Sequence, residues 1–143
     1  MIRVVIDTNV FIRYLLKPNP VIRYLIEEMW LNDELLLVSA PELLAELAAV
    51  LQRDYIQALI TPPEGELLLT VIRAKAEILP ALSPIPTYTR DPKDDKFVAC
   101  AIAGQVAYLI TLDQDILVLQ TLAGVTIVTT HDFVEQQAGK KVD

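Results

Sequence analysis

Residues 2–9, Ile2-Arg3-Val4-Val5-Ile6-Asp7-Thr8-Asn9, set an apolar run directly ahead of an acid, a hydroxyl and an amide. A short run of this kind, stopped by polar residues, predicts a strand buried on both faces, as inside a parallel sheet. Val10 to Leu16 continues as a short helix, so the chain opens strand, acid, helix. The order recurs far along the chain. Ala107 to Leu112 predicts a strand, Asp113 follows it, and Asp115 to Gln120 predicts a short helix. Leu35 to Val38 and Val125 to Thr129 supply two more strands. Ile22, Leu25, Ile26, Met29 and Trp30 recur with helical spacing. Ser39-Ala40-Pro41-Glu42 has the pattern of a capping box and opens a helix carrying Leu43, Leu44, Leu47, Val50 and Leu51. Thr61-Pro62-Pro63-Glu64 opens another, burying Leu68, Val71, Ile72 and Leu79. Pro80 to Pro86 predicts a loop with a short edge strand. Residues 90–95 lead into a helix that ends at Gly104, and Thr130 is expected to cap a last helix carrying Phe133 and Val134. Strands alternating with helices predict an α/β fold: three layers, α/β/α, around a central parallel sheet with right-handed crossovers. Residues 1–138 are expected to form one domain and 139–143 a flexible tail.

Four carboxylates fall where strands end or helices begin: Asp7, Glu46, Asp95 and Asp113. In an open parallel sheet, ligands bind beyond the carboxyl ends of the strands, at the switch point of strand order. Acids gathered there repel one another unless a divalent cation neutralises them. Thr8 and Asn9 are well placed to cap the first helix, which leaves Asp7 without a structural role. Glu42 has work in the capping box. Glu46, between Ala45 and Leu47-Ala48, has none. Asp91, Asp94 and Asp95 exceed what one helix start needs, and the partial charge of that start favours their ionised form. Asp115 can cap its own helix, so Asp113 is expected to face the strand end, beside Asp7 if the two strands are neighbours. An all-oxygen donor set selects Mg²⁺ or Mn²⁺ over zinc, since the chain has one histidine, His131, and one cysteine, Cys100. His131 is expected at the surface. Cys100, within Val98-Ala99-Cys100-Ala101-Ile102, is expected to be a small buried hydrophobe.

Bulk properties narrow the reading further. Hydrophobic residues make up 53% of the chain and mean hydropathy is +0.41, which predicts a surface covered by a second copy in a homo-oligomer, a dimer in the first instance, or by another partner. A single cysteine excludes an intrachain disulfide. No run approaches the roughly 18 apolar residues of a membrane helix, and Asp7 interrupts the N-terminal one, so neither a signal peptide nor a membrane span is expected and the reading is cytoplasmic. The net charge of −7 does not by itself recruit nucleic acid. Bound divalent ions would reverse its sign locally.

Taken together, Asp7-Thr8-Asn9 after a strand, Ser39-Ala40-Pro41-Glu42-Leu43-Leu44-Ala45-Glu46, Arg90-Asp91-Pro92-Lys93-Asp94-Asp95-Lys96-Phe97 entering an alanine-rich helix, and Thr111-Leu112-Asp113-Gln114-Asp115 resemble the PIN domain. The resemblance is to the bacterial toxin-like branch related to VapC-type toxins, and it runs from Ile2 to about Phe133. It implies a sheet order of 3-2-1-4-5 with the switch point between strands one and four. It also implies a Mg²⁺- or Mn²⁺-dependent endoribonuclease, the toxin of a toxin–antitoxin pair, with RNA as substrate and an antitoxin protein as partner. The family's catalytic and metal-binding acids fall on Asp7, Glu46, Asp95 and Asp113. Asp91, Asp94 and Asp115 are auxiliaries, and Thr8, Asn9, Ser39 and Thr111 steady the site. Arg13, Lys17, Arg90, Lys93 and Lys96 are candidates for phosphate contacts.

Rival readings lack a needed residue. A haloacid-dehalogenase-like phosphotransferase requires a second aspartate two positions after the first, where this chain has Asn9. A receiver domain requires a lysine after its last strand, where this chain has Thr129-Thr130-His131. The non-enzymatic alternative is a PIN-fold binding or scaffold protein with little nuclease activity.

Overall fold

The structure is a computed structural model that describes residues 1–142, with side-chain surroundings through residue 139. The order of elements is β1 (Ile2–Ile6), α1 (Thr8–Leu16), α2 (Pro20–Arg23) running directly into a π-helix (Tyr24–Trp30), β2 (Leu35–Ser39), α3 (Pro41–Leu51), α4 (Asp54–Gln57), α5 (Pro62–Lys75) and β3 (Glu77–Ile78). A 3₁₀ turn (Pro92–Asp94) then leads into α6 (Asp95–Ala103), β4 (Tyr108–Ile110), α7 (Gln114–Leu117), β5 (Thr121–Leu122), β6 (Val125–Val128) and α8 (Thr130–Val142). Asp143, the last residue of the expected tail, lies outside the described residues.

The sheet has the order β3-β2-β1-β4-β6-β5. All its pairings are parallel except β5 with β6. The expected order 3-2-1-4-5 holds for the parallel strands, with Val125–Val128 as the fifth. The antiparallel edge strand β5 was not expected. It arises from a tight hairpin in which Ala123 (φ 51°) and Gly124 (φ 83°) both adopt the left-handed conformation, the geometry of a two-residue turn matched to strand twist. Alanine at the first of these positions hides that turn from a sequence reading. The other edge strand lies earlier than expected, at Glu77–Ile78 instead of within 80–86. It is held beside β2 through Val38↔Glu77 and Ser39↔Ile78. Arg3 supports it, donating to Glu77 Oε2 at 2.6 Å and to the Gly104 carbonyl at 2.7 Å.

Side chains on the central strands alternate between two cores, as a period of two demands. Val4, Ile6, Leu35, Leu37, Ile110 and Val128 face the core formed with α1, the π-helix, α5 and Phe133 of α8. Val5, Val38, Leu109, Val125 and Ile127 face the core formed with α6 and Ile116. Val4 and Val5 are both fully buried, so β1 is covered on both sides and three layers result. Cys100 is buried in the second core, and that burial, followed by the Glu42 charge, pushes its thiol up to about 12. Gly104 lets α6 approach β2: a Cβ there would lie 2.7 Å from Val38 Cγ1. Among the described residues no helix is long and apolar enough to cross a membrane.

Several helix starts differ from the sequence reading. Thr61 and Glu64 open α5 where a helix start was expected, and they do so through a capping box. Ser39 does not cap α3: it ends β2, and Ala40 occupies the cap position without a side-chain bond. Glu42 Oε2 instead accepts from the Leu82 N–H at 2.8 Å and pins the 80s loop. Thr129, one residue before the expected Thr130, accepts from the Asp132 N–H at 3.0 Å.

Candidate functional site

The switch point between β1 and β4 follows from register. Ile6 pairs with Ile110, so Asp7 and Thr111 leave adjacent strands at the same level. Thr111 Oγ1 donates to Asp7 Oδ2 at 2.7 Å and accepts from the Asp113 N–H at 3.0 Å. One hydroxyl therefore ties the first acid to the turn that carries the last. Asp7 also caps α1, accepting from the Asn9 N–H at 3.5 Å, so the cap belongs to Asp7 and not to Thr8 or Asn9. Asp7 is 3% exposed. Burial drives its carboxyl up to about 6. The bonds from Thr111 and Asn9 pull it back, and the charges of Glu46 and Asp113 push it further up.

Glu46, on the second turn of α3, is engaged at both oxygens. Thr8 Oγ1 donates to Oε2 at 2.7 Å, and Lys96 Nζ lies 3.0 Å from Oε1. Lys96, expected at RNA, here balances an acid of the site. Ser39 is buried at the end of β2 and lines a small cavity together with Thr8.

Asp94, Asp113 and Asp115 converge. Their carboxylates offer one oxygen each, all within 4.8 Å of one another. Asp113 caps α7 by accepting from the Asp115 N–H at 2.9 Å, so the cap again falls one acid earlier than expected. Asp94 ends the 3₁₀ turn and makes no capping bond. Partial burial, the Asp113 charge, a side-chain hydrogen bond with Asp113, and the Asp91 and Asp7 charges together push it up to about 7. Like-charged groups this close hold a proton into the neutral range unless a cation replaces it.

Asp95, expected as the third principal acid, is engaged elsewhere. Its Oδ1 accepts from the Tyr88 N–H at 3.0 Å, the Thr89 N–H at 2.7 Å and Thr89 Oγ1 at 2.9 Å. It fastens the loop after β3 to the first turn of α6. Burial raises its carboxyl, but these three bonds outweigh burial and the net shift is downward. Asp94 is the acid that reaches Asp113. Neighbouring residues in a helix-opening turn point about 100° apart, so of two adjacent acids only one can face the cluster. Asp91 accepts from the Lys93 N–H at 3.0 Å and caps the 3₁₀ turn.

Arg13, Lys17, Arg90 and Lys93 are exposed, and none forms a salt bridge with the clustered acids among the described residues. His131 is exposed and pairs with Glu135 at 3.2 Å. Two contacts lay beyond sequence reasoning: the Tyr88–Thr89 clamp on Asp95 and the Lys96–Glu46 pair. The first rests on a loop without periodicity, the second on a helix–helix approach.

The donor set is carboxylate oxygen throughout, the chemistry of a hard divalent cation whose ligands lie about 2.0–2.6 Å away. Oxygens grouped around Asp113, with two carboxyls pushed into the neutral range, fit such an ion.

Residues 3–115 match the PIN domain family. A structure described as VapBC2 from Rickettsia felis bound to a DNA fragment from their promoter shares the fold, with a TM-score of 0.58 and 14% identity over 90% of this chain and 98% of that one. The PIN domain endonuclease Utp24 does so with a TM-score of 0.52 and 18% identity over 89% of this chain and 84% of that one. No curated protein sequence matches the chain significantly.

Proposed function

The chain belongs to the PIN domain family, and from that premise we propose that it is a Mg²⁺- or Mn²⁺-dependent endoribonuclease, the toxin of a toxin–antitoxin pair. The observation that carries the proposal is the convergence of Asp94, Asp113 and Asp115 at the strand ends beside buried Asp7. In this reading residues 1–138 act as one cytoplasmic nuclease domain. The fold shared with the VapBC2 structure supports a toxin role with an antitoxin protein as partner, and the hydrophobic content of 53% supports a second copy of the chain as another. The Utp24 likeness supports nuclease chemistry.

Asp94, Asp113, Asp115 and Asp7 would hold the metal. A bound divalent ion supplies a water of lowered pKa and charge stabilisation for the oxygen leaving phosphorus. The remaining work belongs to the chain. Thr111 fixes the rotamer of Asp7 and the position of the Asp113 turn through its two hydrogen bonds. Glu46, turned by Thr8 and Lys96, orients the attacking water or takes its proton. Lys96, released from Glu46 by an arriving phosphate, carries charge to the substrate. Asp95 anchors the loop and does not ligate, and Asp94 takes the place the sequence reading gave it.

Calorimetry with Mn²⁺, alongside cleavage of a mixed RNA pool, tests the proposal. Wild type binds Mn²⁺ and cleaves RNA; Asp113→Asn does neither while keeping its circular dichroism. Equal cleavage by wild type and Asp113→Asn would refute it.

A further inference from the structure

A groove of about 360 Å³ opens between one face of α1 and the segment that joins α3 to α4. Asn9 and Leu112 are among its lining residues. Asn9 gives its N–H to Asp7 Oδ1 at 3.5 Å, and Leu112 lies between Thr111 and Asp113 in sequence, so the lining includes the segments that carry these carboxylates. Ile12 and Ile56 form part of an apolar floor, and Arg13, Arg53 and Tyr55 stand around it. Arg53 Nη1 donates to the Tyr55 hydroxyl at 3.3 Å. Tyr55 is 62% exposed, which leaves its ring face available.

Charge decides what the groove suits. The chain carries −7, yet two arginines line this groove and neither forms a salt bridge among the described residues. The groove between α1, the π-helix and α5, with Trp30, Leu67 and Leu68, has Glu64 as its charged lining residue instead. An anion is drawn to the first groove and not to the second. An apolar floor, an exposed aromatic ring and guanidinium groups form the combination that single-stranded nucleic acid uses, with bases on rings and phosphates on cations. The volume is of the size of a small-ligand pocket, about 300–1,000 Å³, which suits one nucleotide and excludes a duplex.

We propose that this groove binds one unstacked nucleotide of single-stranded RNA next to the scissile phosphate, with Tyr55 stacking on the base and Arg13 and Arg53 contacting the backbone. The inference rests on the nuclease reading for its substrate and adds where the strand leaves the acids. It brings in Arg53 and Tyr55, which no motif had singled out.

The test measures binding apart from cleavage. Fluorescein-labelled single-stranded RNA is titrated with full-length protein in Ca²⁺, followed by anisotropy across a salt series, with 2-aminopurine in a parallel strand to report stacking. Tyr55→Ala is expected to weaken binding on the order of 5- to 100-fold and to abolish 2-aminopurine quenching, while Tyr55→Phe stays within about twofold. Arg53→Ala is expected to lower the slope of log affinity against log salt by about 0.7. Mn²⁺ calorimetry should be unchanged in all three variants, since none touches the acids. Wild-type binding strength in both Tyr55→Ala and Arg53→Ala would overturn the groove while leaving the nuclease reading intact, and so would a wild type that cleaves RNA yet shows no quenching. A wild type that fails to cleave but binds RNA through Tyr55 and Arg53 would sustain the groove and sink the nuclease. Failure of wild type to bind single-stranded RNA would overturn the groove outright.

Discussion

Thr111 and Asp7 lie 104 residues apart in the chain and 2.7 Å apart in the fold, hydroxyl to carboxylate, at the ends of the two strands that flank the switch point. The bond selects the ionised form of an acid that burial drives toward neutrality. Thr111→Val keeps the shape and removes the donor. The Asp7 carboxyl should then rise above about 6, and Mn²⁺ binding should require a higher pH. Calorimetric titrations between pH 5.5 and 8 should show the half-binding pH displaced upward in the variant. An identical profile would mean that the hydroxyl does not tune Asp7.

Asp94→Asn and Asp95→Asn should separate cleanly, although the residues are neighbours. Asp94→Asn should lose Mn²⁺ binding without losing melting temperature, because it removes a charge repelled by Asp113, Asp91 and Asp7. Asp95→Asn weakens three hydrogen bonds that hold Tyr88 and Thr89. It should cost about 1–3 kcal/mol of stability and retain Mn²⁺ binding. Chemical denaturation paired with calorimetry checks both. The reverse pattern would restore Asp95 as the ligand.

Metal-free stability should fall as pH rises through the neutral range. The folded carboxyl of Asp7 sits at about 6, above its unfolded value of 3.8, so its contribution is complete below pH 4 and disappears as pH passes the folded value. At about 1.4 kcal/mol per unit the buried Asp7 alone accounts for about 3 kcal/mol. Asp94, raised to about 7, acts in the same direction, and solvent weakens its share. Asp95, lowered, runs the other way: it stabilises above its unfolded value and ceases to do so in acid. Melting curves in chelator should therefore be lower at pH 8 than at pH 5.5, and Mn²⁺ should reduce or reverse the difference. A chelated protein equally stable at both would show that neither burial nor repulsion raises these carboxyls in the fold.

Asp7→Asn should abolish RNA cleavage in Mn²⁺. At pH 8 in chelator it should be no less stable than wild type, since the amide removes a buried charge. A large drop in melting temperature there would assign Asp7 a structural role in capping α1.

Lys96→Met removes the cation 3.0 Å from Glu46 Oε1. The pair is partly exposed, so the loss of stability should be small, about 1 kcal/mol or less. The melting-temperature gain on adding Mn²⁺ should grow, because a metal ion becomes the remaining counter-charge for Glu46. An unchanged gain would place Glu46 outside the metal's field.

Legibility followed length scale. The buried runs Val4-Val5-Ile6 and Leu109-Ile110 could be read because burial on both faces leaves a continuous apolar string, and the α/β alternation came with them. Positions of acids at strand ends were equally plain. Which acid does what was less so, because caps slid by one or two residues: Asp7 for Thr8 and Asn9, Asp113 for Asp115, Thr129 for Thr130. Helix-starting angles decide such matters, and adjacent polar residues compete for them on nearly equal terms. The bonds that Asp95 accepts could not be read for a related reason: its partners, Tyr88 and Thr89, sit in a loop whose path follows from packing and not from pattern.

Both margins of the sheet end in two-residue strands, Glu77–Ile78 on one side and Thr121–Leu122 on the other. Stubs this short offer little backbone for an incoming chain to zip onto. An oily protein is thereby denied the route of stacking strand against strand into fibres.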